Sequence, residues 1–212
     1  MFTLETDTVS DMWLQVTSEC LRRGEKIYDD DEELRELLNL AFTVRTPLAA
    51  GELDKWMDAD MVSAMHANFH SLEPQFGYKV SYGERIWTPA GDSPFERIVA
   101  LLRKKPQAKS ATMSLLQQKD ADLGHVPCIV SIDFKIRDDS LHVCYFARSQ
   151  DLFKKNFADN LAIHAVGQKL AAELGIEPGP VSAFIASGHV YASDAERMRA
   201  VGPVAADVLA DW

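Results

Sequence analysis

Over residues 11–23 apolar side chains fall at Met12, Trp13, Val16, Cys20 and Leu21, the spacing of a helix with one buried face, and Gly24 marks its end. The acidic run 29–33 reads as a solvated loop, and residues 37–44 read as a strand stopped by Pro47. Residues 52–69 predict a second helix. A third is predicted over 93–103, after the turn at 89–92 and ahead of Arg103-Lys104-Lys105 and Pro106. The second half has a clearer rhythm. Residues 128–136 alternate or are continuously apolar, Arg137-Asp138-Asp139-Ser140 reads as a turn, and 141–147 are β-rich, so a hairpin is predicted. A long helix over 160–174 stops at Gly175, and a strand follows over 181–191. With no internal repeat and no low-complexity segment, the pattern predicts one α/β or α+β unit.

Composition narrows the picture. At 212 residues, 47% hydrophobic and 25% charged, the chain can bury a substantial core as a single domain spanning 1–212. A net charge of −10 argues against a nucleic-acid polymer as partner, because a phosphate backbone needs a basic face. A small anion needs only a few local arginines. No apolar run is long enough to span a bilayer, and the polar, acidic start lacks an export signal, so the protein is expected to be soluble and cytoplasmic. Three cysteines, Cys20, Cys128 and Cys144, suit a reducing compartment better than a disulfide framework.

Candidate chemistry centres on Cys128, in His125-Val126-Pro127-Cys128-Ile129-Val130, and on Arg148-Ser149-Gln150-Asp151. The hairpin puts the thiol and Arg148 at opposite ends of paired antiparallel strands. A thiolate is the attacking species and nearby positive charge favours it, so this pairing is a candidate nucleophile beside an anion site. His66 and His70 stand one helical turn apart, but no third ligand accompanies them, and no metal site is expected.

In order, Tyr82-Gly83-Glu84-Arg85-Ile86, Pro127-Cys128, Arg148-Ser149-x-Asp151 and His189-x-Tyr191 resemble the thymidylate synthase superfamily, which includes the pyrimidine nucleotide hydroxymethylases. Glu36-Leu37-Leu38-Asn39-Leu40 and the Tyr82–Ile86 segment are similar to its compact archaeal-type members in particular. The likeness is dense over 78–191 and faint before residue 34. It implies an α+β fold with a mixed or antiparallel sheet flanked by helices, and a homodimer formed through the sheet. It also implies that Cys128 adds to C6 of a pyrimidine nucleotide, so that C5 attacks the one-carbon unit of 5,10-methylenetetrahydrofolate. Under the same likeness Arg148 holds the phosphate and keeps Cys128 ionised, and Ser149 adds a hydroxyl donor. His189 and Tyr191 bind the sugar hydroxyl, Tyr82 belongs to the proton-transfer network at C5, and Asp151 lies close to base and folate. Glu52, in Glu52-Leu53-x-x-Trp56, is the match for the catalytic glutamate.

Departures from the family pattern are as informative. Where the synthases read uracil with an asparagine, gap-free counting gives Asp159, while Asn160-Leu161-Ala162 would restore the asparagine after one inserted residue. Asp159 resembles the cytidylate hydroxymethylases, because a carboxylate accepts from the 4-amino group of cytosine. Asn160 would instead indicate reductive methylation of dUMP. The tandem arginines that reach across the dimer are reduced to Lys109, a point charge in place of a fork, and the N-terminal phosphate loop falls in the acidic 29–33 run. Arg22, Arg23 or Arg35 could substitute, and a non-catalytic nucleotide-binding homologue stands as a further alternative. The implied activity is folate-dependent hydroxymethylation of CMP or dCMP at C5.

Overall fold

The computed structural model describes residues 1–29, 31–45, 56–88, 93–124 and 126–201. Strand β1 (Phe2–Thr6) and helix α1 (Val9–Arg23) lead into a hairpin of β2 (Glu25–Asp29) and β3 (Glu32–Val44). Helices α2 (Ala59–His70), α3 (Tyr82–Ile86) and α4 (Pro94–Lys104) precede the short strand β4 (Thr112–Ser114). Then come β5 (Ile129–Arg137), β6 (Ser140–Ala147), β7 (Gln150–Asp151), α5 (Asn156–Leu174), β8 (Glu177–Tyr191) and α6 (Ala195–Ala200). Among the described residues the strands make one sheet in the order β1-β3-β8-β6-β5-β4, with β2 paired to β3 and β7 to β8. The β1/β3, β6/β8 and β7/β8 pairs are parallel and the rest antiparallel, so this is the α+β architecture with a mixed sheet and flanking helices.

One face of the sheet is the core. Leu141, Val143, Tyr145 and Ala147 of β6 alternate inward with Val181, Ala183 and Ile185 of β8, as the two-residue pleat demands. Helix α1 lays Met12, Trp13, Val16, Cys20 and Leu21 on the same core, its first turn held by Thr8, which accepts from the Asp11 amide at 3.0 Å. The other sheet face is half-exposed. It carries Leu38 and a Phe146/Phe184 stack at 5.9 Å.

Boundaries moved where charge hid structure. The 29–33 loop is corrected to a hairpin. Asp29 closes β2, Glu32 opens β3, and Lys26 pairs with Glu33 at 2.7 Å, so backbone pairing and alternating charge outweigh the acidic run. Helix α2 starts at Ala59, behind an Asp58 cap; Pro47, Glu52 and residues 89–92 lie outside the described residues. Ser93 and Glu96 form a reciprocal capping box for α4, with Pro94 in its first turn. Helix α5 begins at Asn156 rather than 160 and is buried on most sides, so its polar first turn gave no amphipathic signal. It ends as predicted at Gly175, whose φ of 69° is the left-handed helix stop.

Two buried features hold the approach to Cys128. Gly83 lets α3 lie against the end of α2, since a Cβ there would sit 2.0 Å from the Ser71 carbonyl oxygen. Arg85 forms a bidentate pair with Asp120 at 2.5 and 2.6 Å and also donates to the Leu115 carbonyl, while Asp120 accepts from the Gln117 amide at 2.6 Å. Both side chains are almost wholly buried. Asp120→Ala strands a buried guanidinium and should cost about 3 kcal/mol, read as a lower urea midpoint with unchanged slope.

Candidate active site

Cys128 immediately precedes β5 and Arg148 immediately follows β6. Because the strands are antiparallel, the start of one lies beside the end of the other: the Arg148 amide donates to the Cys128 carbonyl at 2.9 Å. The guanidinium is tied down by the carbonyls of Pro127 at 3.0 Å and Val126 at 2.6 Å, which leaves Nη2 3.9 Å from Cys128 Sγ. A register shift between Ile129 and Ser131 bends the strand at this point. From α3, the Tyr82 hydroxyl accepts from the Ile129 amide at 2.9 Å, beside the thiol.

Burial pushes the Cys128 thiol up. Arg148 pulls it down, Asp159 and Asp151 oppose Arg148, and Lys155 assists it, with a net rise. For the Cys128 thiol, burial is a larger influence than the neighbouring Arg148 guanidinium, whose Nε and Nη2 also donate to backbone carbonyls. Burial also raises Tyr82 well above the usual phenol range, with Cys128 and Asp159 adding to it.

Cys128, Tyr82, Arg148, Ser149, Asp151, Asp159, His189 and Tyr191 line one cleft of about 300 Å³. The β7/β8 pairing sets Asp151 opposite His189. Asp151 Oδ1 accepts from the Phe153 and Lys154 amides at 3.2 and 2.9 Å. Burial raises the Asp151 carboxyl and lowers the His189 imidazole, so each is driven toward its neutral form. Tyr191 packs edge-on against His189 at 5.1 Å, and the Lys154 ammonium sits over its ring at 5.0 Å.

The two base-reader candidates separate cleanly. Asp159 lines the cleft, whereas Asn160 is buried beneath it and donates from Nδ2 to the Tyr145 hydroxyl at 2.9 Å. Asp159 Oδ2 accepts from Gln150 Nε2 at 2.5 Å, and Oδ1 is buried with no partner among the described residues. Burial, opposed by the Gln150 hydrogen bond and Lys155 and aided by Asp151, pushes the Asp159 carboxyl up to about 7. Lys109 is exposed just ahead of β4 and does not line this chain's cleft. Glu52 and His125 lie outside the described residues.

Five lining residues were not singled out from sequence: Met65, Asn68, Tyr78, Gln150 and Lys155. Gln150 lies inside the Arg-Ser-x-Asp motif and Lys155 one helical turn before Asp159, so both had a local signal. Asn68 and Tyr78 come from distant segments and had none. Lys155 donates to the Tyr78 hydroxyl at 3.0 Å; burial lowers its ammonium, but Tyr78, Asp159 and Asp151 raise it overall. Among the described residues Arg148 and Lys155 are the cations lining the cleft, against Asp29, Asp151 and Asp159. Arg22 borders a different groove, between β1 and α1, and Arg23 pairs with Glu19 at 2.7 Å. His66 and His70 stack on each other at 4.3 Å, and His70 Nε2 lies 3.3 Å from the Ala162 carbonyl oxygen. No helix among the described residues is long and apolar enough to cross a membrane.

The chain is similar to archaeal proteins named "Putative thymidylate synthase". It is 24% identical over 209 residues to that of Methanothermobacter thermautotrophicus, covering 90% of this chain and 93% of the relative. It is 25% identical over 197 residues to that of Methanosarcina acetivorans, covering 90% of each. The protein of Methanococcoides burtonii is 23% identical over 203 residues, with 93% of each covered. The thymidylate synthase family model matches residues 27–201, which take in the cysteine, the Arg-Ser-x-Asp turn and the histidine-tyrosine strand end of the cleft, and the chain belongs to the thymidylate synthase family.

Proposed function

We propose that this protein is a one-carbon transferase that hydroxymethylates a cytidine monophosphate, CMP or dCMP, at C5. The observation that carries the reading is Asp159, a buried carboxyl in the cleft with one oxygen unpartnered, beside the half-buried Cys128. A carboxylate there accepts from a 4-amino group and repels a 4-oxo group. The dUMP reading needs Asn160 at the base, but Asn160 is not among the residues lining the cleft and its Nδ2 donates to Tyr145.

In this reading the Cys128 thiolate bonds to C6 and gives C5 the electron pair with which it takes up carbon. The proton leaving C5 passes to the hydrogen-bonded polar groups around Tyr82, and water completes the hydroxymethyl group before the sulfur departs. Methylenetetrahydrofolate, when bound, would supply the one-carbon unit at the oxidation level of formaldehyde and would leave as tetrahydrofolate when its bond to that carbon breaks. The cleft has an acceptor suited to pterin N–H groups in Asn68, whose Oδ1 is buried without a partner among the described residues, and Asp151 contributes a carboxyl to the same lining. Arg148 and Ser149 hold the phosphate, and His189 and Tyr191 the sugar. The half-exposed sheet face is the surface through which two copies would pair as a homodimer, with Lys109 reaching the partner's phosphate. A single domain over 1–212 and a cytoplasmic location complete the proposal.

Incubation with methylenetetrahydrofolate and, separately, CMP, dCMP, UMP and dUMP tests it by product mass. A gain of CH2O on a cytidylate is the expected result. A gain of CH2 on dUMP, with dihydrofolate formed, would replace it with thymidylate synthesis, and no product from any nucleotide would favour a binding protein.

A further inference from the structure

Gln150 is buried to 2% exposure in β7, where its backbone pairs with Gly188. Its Nε2 donates to Asp159 Oδ2, while its own Oε1, like Asp159 Oδ1, is buried and has no hydrogen-bond partner among the described residues. A carboxylate only accepts and a primary amide has one donating end, so the charge on Asp159 fixes which end of Gln150 faces it. The result is a pair of adjacent residues, both lining the cleft with Cys128, that together hold two unsatisfied acceptor oxygens.

Resting on the cytidylate reading, we infer that Gln150 is a positioning residue that holds Asp159 as an acceptor-only reader, so that the pair sets the preference for a 4-amino over a 4-oxo pyrimidine. A 4-amino group brings two N–H donors to two oxygens that need them. A 4-oxo pyrimidine sets lone pairs against the same atoms and leaves them unsatisfied. The surroundings assign the task to Gln150. Its hydrogen bond is the largest influence opposing the burial of Asp159; Lys155 helps, Asp151 opposes, and Cys128, Tyr82 and Tyr145 face the carboxyl from the β5 approach, α3 and β6.

The test combines a 13C titration of the Asp159 carboxyl in the whole protein with equilibrium binding of CMP and UMP between pH 6 and 9. Gln150→Leu is expected to move the Asp159 midpoint upward by about one pH unit and to cut the CMP-to-UMP affinity ratio about tenfold. Gln150→Glu keeps the shape but sets two carboxyls in contact, so one proton should stay bound to higher pH and the ratio should fall further. It also decides the matter if the leucine variant fails to fold. An Asp159 midpoint unmoved by either substitution would overturn the inference, whatever the binding data. A moved midpoint with an unchanged CMP-to-UMP ratio would overturn the specificity role. Wild-type protein that binds UMP as well as CMP would instead sink the cytidylate reading, leaving the midpoint to decide whether Gln150 holds Asp159.

Discussion

Cys128→Ala is expected to reduce tritium release from C5-labelled cytidylate by about 10⁴-fold or more while leaving the fold intact, because covalent addition at C6 is what makes C5 acidic. The structural cost is small. Cys128 is only half-buried, and among the described residues the hydrogen-bond contact of its sulfur is the 3.9 Å approach of Arg148, whose stronger bonds go to backbone carbonyls that the substitution leaves in place. No other thiol can take over. Cys20 is fully buried, its Sγ donates to the Arg35 carbonyl at 3.2 Å, and burial pushes it up to about 12; Cys144 is exposed along β6, away from the cleft lining. Since burial raises the Cys128 thiol, its thiolate fraction grows with pH, and the wild-type rate should climb from pH 6 to pH 9. Exchange that survives in the alanine variant would mean that the nucleophile lies elsewhere.

Local rules made the hairpin behind Cys128 legible. Asp138 and Asp139 take φ of 49° and 56°, the left-handed pair that a two-residue hairpin turn requires and that aspartate tolerates, and alternation did the rest. The same rules put Gly175 at the end of α5 and Ser93 with Glu96 at the start of α4. They failed at 29–33, where acidity suggested solvent but Asp29, Glu32 and Glu33 are set by pairing between β2 and β3. The site divides in the same way. Cys128, Arg148, Ser149 and Asp151 could be read because one hairpin and its exit carry them all. Asn68 and Tyr78 could not, since only tertiary packing brings them to the cleft. Nor could the upward push on the Cys128 thiol be read from an arginine's position in sequence, because burial, the larger influence, is a property of the assembled fold.

Asp159→Asn is expected to reverse base preference, changing the cytidylate-to-uridylate ratio of kcat/KM by roughly 10⁴-fold, the scale set when a buried polar group is left facing the wrong partner. An asparagine donates from one end and accepts at the other, which suits O4 and N3–H of uracil, whereas the carboxylate accepts at both. The pH profile carries a second, independent consequence. Burial raises the folded Asp159 carboxyl to about 7, so the ionised reader is populated only above neutrality, and cytidylate turnover should show a limb rising through that pH that is missing in the variant. For stability the sign is the opposite. A carboxyl raised in the fold binds its proton more tightly there than in the unfolded chain, so its contribution is fully present below the usual aspartate range and is lost as pH rises through about 7. Asparagine has no proton to lose, and the variant should therefore gain on the wild type by about 4 kcal/mol between pH 4 and pH 8. Urea unfolding at the two pH values measures that gain, and a difference that stays constant would mean that Asp159 titrates as an ordinary solvated aspartate, which would remove the physical basis for its role as the base reader.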